Sequence, residues 1–197
     1  QYRSATEQND PIKNYIEAGN AFILSMPGTP CVFLTHWKNY RDEIKQLITL
    51  RKLVGVHNQS AYAERSSAAN LYAAEVTGTN GKLIVACGNG AYTPSNDFAL
   101  VLSGKAYKVY ASKSLETPWV NVPSGEKEQA FQVTLTALST DTGAKLVYTT
   151  DGSEPTPSSK AVASGTGITI NASCTLKVGL LSGGKVKNIV TRNYQVV

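Results

Sequence analysis

The chain has 197 residues, 42% of them hydrophobic, which is enough apolar material for one large domain or two small ones. Its 19 Lys and Arg against 14 Asp and Glu leave a net charge of +5, scattered without a dense run or interleaved aromatics, which argues against a nucleic-acid partner. No run of roughly 18 apolar residues exists to span a membrane as a helix, and the three cysteines, Cys31, Cys87 and Cys174, have neither metal-ligand spacing nor the even count of a disulfide framework, so they read as isolated, mostly buried thiols.

The opening Gln1-Tyr2-Arg3-Ser4 has neither an initiator Met nor a signal-peptide core, so the chain is expected to begin inside a longer protein. Asp10-Pro11 predicts a helix start, with Asp10 as N-cap and Pro11 at the first helical position. Ile12, Tyr15, Ile16, Gly19, Phe22, Ile23 and Met26 then recur at steps of three and four, one wide apolar stripe that ends at Pro27-Gly28. Val32, Phe33 and Leu34 form an unbroken apolar run and predict a short strand buried on both faces. Such a strand needs parallel neighbours, each from a strand-and-helix unit, and the rest of the sequence supplies none. Asn39 is expected to cap a second helix with Asp42 in its first turn, Ile44, Leu47, Ile48 and Val54 on its buried face, and Gly55 closing it in the left-handed conformation. Helix, strand, helix is the pattern of the last unit of a (β/α)8 barrel, and this segment is expected to close a larger α/β body.

From Val56 the period changes to two. Strands are predicted around Ala61 to Arg65, Leu71 to Val76, Leu83 to Cys87, Phe98 to Leu102 and Tyr107 to Tyr110, with Thr79-Asn80-Gly81 as a hairpin turn. A stretch rich in Ser, Thr and Pro near Lys113 to Pro123 reads as a linker or linking strand. Beyond it Phe131, Val133, Leu135 and Ala137 alternate with polar residues. Strands at Lys145 to Tyr148, Ile168 to Ile170, Thr175 to Leu181 and Ile189 to Val196, with a turn at Ser182-Gly183-Gly184, complete an immunoglobulin- or fibronectin-like sandwich. The whole is mainly β with a short α/β start. Residues 1–56 are expected to form the terminal segment of a truncated (β/α)8 barrel, 57–112 a small antiparallel β domain, 113–118 a linker and 119–197 a β-sandwich.

The run Ala21-Phe22-Ile23-Leu24-Ser25-Met26-Pro27-Gly28-Thr29-Pro30-Cys31-Val32-Phe33 resembles the approach to the last barrel strand in α-amylases of glycoside hydrolase family 13. Asp42 to Lys52 resembles their final barrel helix. Leu71-Tyr72-Ala73-Ala74-Glu75-Val76 with Gly81-Lys82-Leu83-Ile84-Val85 is similar to their antiparallel C-terminal domain. Val147-Tyr148-Thr149-Thr150-Asp151-Gly152-Ser153-Glu154-Pro155-Thr156 resembles the chitobiase/β-hexosaminidase C-terminal domain family, small sandwich modules of bacterial carbohydrate enzymes.

The amylase resemblance implies a retaining hydrolase that cleaves internal α-1,4 bonds of starch-like glucans with a carboxylate nucleophile and a carboxylic acid. Both, and the third carboxylate that stabilises the distorted sugar, fall upstream of Gln1, as does the family's calcium-binding domain. The chain is therefore expected to carry no catalytic residue, no metal site and no cofactor, and to be inactive alone. The substrate-contact candidates are His36 and Trp37 at a strand's C-terminal end, Tyr2 and Arg3 in the preceding loop, and Tyr72 in the β domain. Trp37 either offers its face to a sugar or packs beneath the second helix, and aromatics at alternating strand positions are as readily cross-strand partners. The expected partner is a starch-like α-glucan bound through the parent enzyme, or, on the alternative reading, through the β domains as a non-catalytic glucan-binding or docking module. The resemblance implies a secreted, periplasmic or cell-surface protein, and the helices' apolar faces are expected to pack on the adjoining β domain or on another copy of the chain.

Overall fold

Three helices open the chain in the computed structural model, which describes residues 14–197: α1 (Ile16–Ser25), α2 (Leu34–Asn39) and α3 (Arg41–Val54). The expected helix start at Asp10-Pro11 lies outside the described residues. The apolar stripe of α1 is split. Ala18, Ala21 and Leu24 are buried, whereas Tyr15, Phe22 and Ile23 are exposed. α3 turns Ile44, Leu47, Leu50 and Val54 fully inward, with Ile48 packed at the margin. Asp42 and Glu43 stand in its first turn, at the positive end of the helix dipole, and Tyr40 rather than Asn39 takes the N-cap position. Gly55 closes α3 at φ 78°, and the N–H groups of Gly55 and Val56 both donate to the Arg51 carbonyl at 3.0 Å.

The strand expected at Val32 to Leu34 does not form. Phe33 is extended at the N-cap position and Leu34 begins α2. A strand is held by a ladder to a neighbour, and among the described residues no strand pairs with this segment. Its two-sided burial fails with it: Phe33 is 63% and Leu34 62% exposed, and Cys31 is exposed beside them. The adjoining β domain does not cover Ile23, 45% exposed, or Phe33, because α1 spends its alanine side on that contact.

β1 (Ala61–Ala68), β2 (Leu71–Thr77), β3 (Lys82–Gly88), β4 (Phe98–Gly104) and β5 (Tyr107–Ser112) make an antiparallel sheet in the order β1-β2-β3-β5-β4. One face carries Ala74, Val76, Leu83, Val85, Val109 and Ala111 against α1 and α3. The other carries Ala73, Ile84, Ala86 and Tyr110 beneath Tyr92 and Phe98. Two covered faces explain why β2 and β3 read as nearly continuous apolar runs rather than alternating ones.

A 3₁₀ turn at Lys113–Leu115 leads into β6 (Thr117–Val120), β7 (Gly125–Lys127), β8 (Phe131–Leu138), β9 (Lys145–Thr149), β10 (Lys160–Val162), β11 (Thr166–Ile170), β12 (Cys174–Ser182) and β13 (Lys185–Val196). They form a five-stranded sheet, β10-β9-β12-β13-β7, and a three-stranded one, β11-β8-β6. Among the described strands only β7 pairs in parallel, with β13. Val120, Val133, Leu135, Leu146, Leu176, Val178, Leu180 and Tyr194 fill the space shared by these strands. Gly183 (φ 57°) and Gly184 (φ 74°) make the two-residue turn of the β12–β13 hairpin, a conformation that side chains with a Cβ resist. Within the stretch read as connector, β6 is buried on both faces. Val120 joins the sandwich core, while Trp119, one residue earlier, points the other way into the core of α3 and the first sheet.

Candidate functional site

Tyr72 stands half-buried on β2, where the strand's alternation turns its ring toward α1. Phe22 of α1 meets it edge to face, ring centroids 5.6 Å apart at 70°. With Tyr15, Asn70, Cys87 and Asn89 these two rings line an open groove of about 670 Å³. Burial pushes the Cys87 thiol up to about 11, so it is a protonated donor to the Ala18 carbonyl at 3.5 Å rather than a nucleophile. Burial, followed by the charge of Glu64, raises the Tyr72 phenol, which stays a hydroxyl. Aromatic faces beside amide side chains suit the apolar faces and hydroxyl edges of a sugar ring. Its described side chains hold no base beside a nucleophile.

His36 and Trp37 lie on α2, away from the lining of that groove. His36 Nδ1 sits 3.3 Å from the Asn20 amide nitrogen of α1, and Phe33 meets the imidazole edge-on at 5.3 Å. Trp37 packs partly against the helix–sheet core, with the Arg41 guanidinium 5.6 Å from its ring centre. The two residues therefore share a helix but are engaged with different neighbours. Tyr2 and Arg3 lie outside the described residues. Of the other tyrosines, Tyr62 is exposed on β1, and Tyr110 donates its hydroxyl to the Tyr92 carbonyl at 3.1 Å.

Comparison with known proteins falls into two parts. Residues 122–191 match the chitobiase/β-hexosaminidase C-terminal domain. The chain is 34% identical over 102 residues, 49% of its length, to the probable α-amylase 2 of Arabidopsis thaliana, covering 24% of that protein. It is 39% identical over 72 residues, 36% of its length, to the α-amylase type B isozyme of Hordeum vulgare, covering 45% of it. Over up to about half of its length, the chain is thus similar to α-amylases. A third match, 37% identical over 90 residues, is to the glucan 1,4-α-maltotetraohydrolase of Stutzerimonas stutzeri, covering 43% of the chain and 16% of that enzyme. The alignments thus span between about a sixth and just under half of these relatives' own lengths.

The described acidic groups with resolved partners are occupied structurally. Glu75, 8% exposed, accepts from Arg65 at 2.8 Å and from Lys82 at 2.9 Å. Burial alone would raise its carboxyl, but those hydrogen bonds and charges outweigh it and hold the group below the ordinary range. Glu116 is likewise held low against its own desolvation by the Thr140 N–H and hydroxyl and the Ser139 hydroxyl. Asp42 pairs with Lys127 of β7, and Glu154 with Lys177. Among the described residues no group of three His, Cys, Asp or Glu side chains could hold a metal ion. Sequence reading missed Arg51, whose guanidinium donates to the carbonyls of Leu24 at 3.0 Å, Met26 at 2.7 Å and Gly28 at 2.7 Å, tying the end of α1 to α3. A cation in a last helical turn is ordinary in sequence, and nothing there names acceptors more than twenty residues upstream.

Proposed function

We propose that this chain is the C-terminal part of a retaining glycoside hydrolase of the α-amylase type, cleaving internal α-1,4 bonds of starch-like glucans. The catalytic carboxylates, and any calcium, belong to the barrel that precedes it. The observation carrying this reading, beside the α-amylase relationship, is the uncovered apolar face of the helical segment. Phe22, Ile23, Phe33 and Leu34 are each more than a third exposed, although burying such a side chain is worth about 1.5–3 kcal/mol. A preceding barrel that packs on the segment ahead of α2 supplies the missing cover, and its sheet a ladder for the residues up to Phe33. In that setting His36 and Trp37, with Tyr2 and Arg3, stand at the substrate end of the barrel, and the enzyme works outside the cytoplasm, where the polymer is. Alone, the chain covers this face by self-association.

The test is expression with and without the upstream coding sequence. The longer protein is expected to hydrolyse soluble starch with retained anomeric configuration, and the 197-residue chain to release no sugar. Starch hydrolysis by the short chain, or none by a folded longer protein, would remove the reading.

The groove at Tyr72 favours a second reading, a non-catalytic glucan-binding piece. Affinity electrophoresis in soluble starch checks it: retardation of the chain that is lost in Tyr72→Ala supports binding there, and unretarded migration rejects it.

A further inference from the structure

Among the described strands six form the edges of the three sheets, and five of these are blunted against pairing with another chain. β1 and β4 each carry a register shift, at Glu64/Ser66 and at Leu100/Leu102. β7 and β10 are three residues long and bear Glu126, Lys127 and Lys160. β6 holds Pro118 and is buried along its length. β11 has none of these devices. Its run Thr166-Gly167-Ile168-Thr169-Ile170 is uncharged and free of proline, and it pairs with β8 in unbroken register.

β11 is paired on one side alone. The Thr134 carbonyl of β8 accepts from the Asn121 N–H at 3.2 Å, and the Thr134 N–H donates to Asn121 Oδ1 at 2.7 Å, so Thr134 addresses the β6 side. Backbone groups alternate in direction along a strand, so Val133 and Leu135 address β11, where Ile168 and Thr166 stand opposite them. Gly167 and Thr169 therefore turn their N–H and C=O groups away from β8, and both residues are exposed. Peptide groups left open at every second residue are what a further strand completes.

A groove of about 780 Å³ runs beside this edge, between β11 and the β9–β10 pair of the opposite sheet. Val162 and Ile168 stand half-buried in it, with the Tyr148 ring against the core behind them. Among its described lining residues Lys160 is the one charged side chain, its ammonium 5.4 Å from the Tyr148 ring centre. An added strand alternates its side chains between this apolar floor and the opposite face, and a carboxylate on it answers the ammonium. A second copy pairing through the same strand brings another Lys160 and, in β11, no acid.

We propose that β11 is a docking edge for an extended, acidic segment of a partner protein. The segment adds to the sheet as a strand, with the open backbone groups of Gly167 and Thr169 as its hydrogen-bonding partners and Lys160 as its charge partner.

The probe is a synthetic peptide, acetyl-Thr-Val-Asp-Val-Thr-Val-amide, titrated into the ¹⁵N-labelled 197-residue chain and read by amide chemical shifts. The expected result is a saturable shift of the Gly167 and Thr169 amides. It should weaken when Lys replaces Asp in the peptide, and vanish when alternate peptide nitrogens are methylated, which keeps the side chains and removes the donors. Lys160→Gln is expected to weaken binding about threefold, the worth of one exposed ion pair. Gly167→Pro deletes an outward N–H and spares the β8 ladder, and is expected to weaken it about tenfold. Should that variant fail to fold, the methylated peptide tests the same bond on the unaltered protein. No shift at Gly167 and Thr169 with millimolar peptide would overturn the proposal. An equal response to the methylated or the Lys peptide would overturn it too, since the groove would then take apolar side chains without a strand or a charge. Shifts at the two amides that grow with protein concentration alone, and that the peptide does not displace, would assign the edge to a second copy of the chain instead.

Discussion

Arg51 concentrates three charge-assisted hydrogen bonds on the segment that leaves α1, where carbonyls have no helical partner left. Arg51→Met keeps the apolar stem and strands those carbonyls. We expect a loss of about 2–3 kcal/mol in a urea titration, with Arg51→Lys recovering only part because one ammonium cannot span the fork. Glu75 gives the residue-scale pH dependence. Its folded-state pKa lies below the unfolded value, so its contribution to stability is complete above the ordinary carboxylate pKa. That contribution drains away as pH falls through the folded value. Thermal unfolding followed from neutral pH into the acid range is therefore expected to show a decline that is smaller in Glu75→Gln, which starts less stable at neutral pH. Neither site is legible in the sequence: Glu75 sits in what reads as an apolar strand, and the cations that hold it, Arg65 and Lys82, come from the two flanking strands, β1 and β3.

Among elements, the most legible were those whose burial is settled by the first sheet and the sandwich. β2 and β3 announced themselves through apolar runs that two covered faces require, and the Gly183-Gly184 turn through its φ preference. The expected strand at Val32 to Leu34 failed for a reason that period and hydropathy do not carry. Apolarity says that a segment is suited to burial, and pairing requires a neighbour that the described residues do not supply. Gly55 was read as a helix terminator, and the structure adds why nothing else fits. The β2–β3 hairpin docks on the end of α3, Thr79 N donating to the Gly55 carbonyl at 3.1 Å and Asn80 N to the Val54 carbonyl at 3.0 Å. A Cβ at Gly55 would lie 2.1 Å from Thr79 Oγ1 and 3.0 Å from its backbone nitrogen. Gly55→Ala is thus expected to cost more than left-handed strain alone, about 2–3 kcal/mol in denaturant unfolding. Gly183→Asn, at φ 57° with open space around it, is expected to change stability by less than about 0.5 kcal/mol.

At the scale of the whole molecule, the question is whether the amylase-related part and the sandwich unfold separately. The sequence suggested separation, since Ser, Thr and Pro near residue 117 look like a connector. Composition could not show that Trp119 has a buried socket on the far side of its own strand. Its ring is 2% exposed within the core of α3 and the first sheet, and its Nε1–H donates to the Val101 carbonyl at 2.9 Å. Gln46 to Val120, Asp42 to Lys127 and Asn188 to the Glu116 carbonyl cross the same boundary. A shared aromatic core with satisfied polar links makes the units cooperate, so the chain is expected to unfold in a single calorimetric transition with equal van't Hoff and calorimetric enthalpies. Trp119→Ala opens a large cavity and orphans the Val101 carbonyl, at a cost of about 3–5 kcal/mol, and most of it falls on the helical side, where the ring is buried. The transition should then divide. Trp37, the one tryptophan left, reports the earlier melting of the helices, while the amide signals of β8, β9 and β12 persist to higher temperature. A variant that still melts as one unit, or a natural chain that already melts as two, would show that Trp119 fills space at this boundary without coupling the two folds.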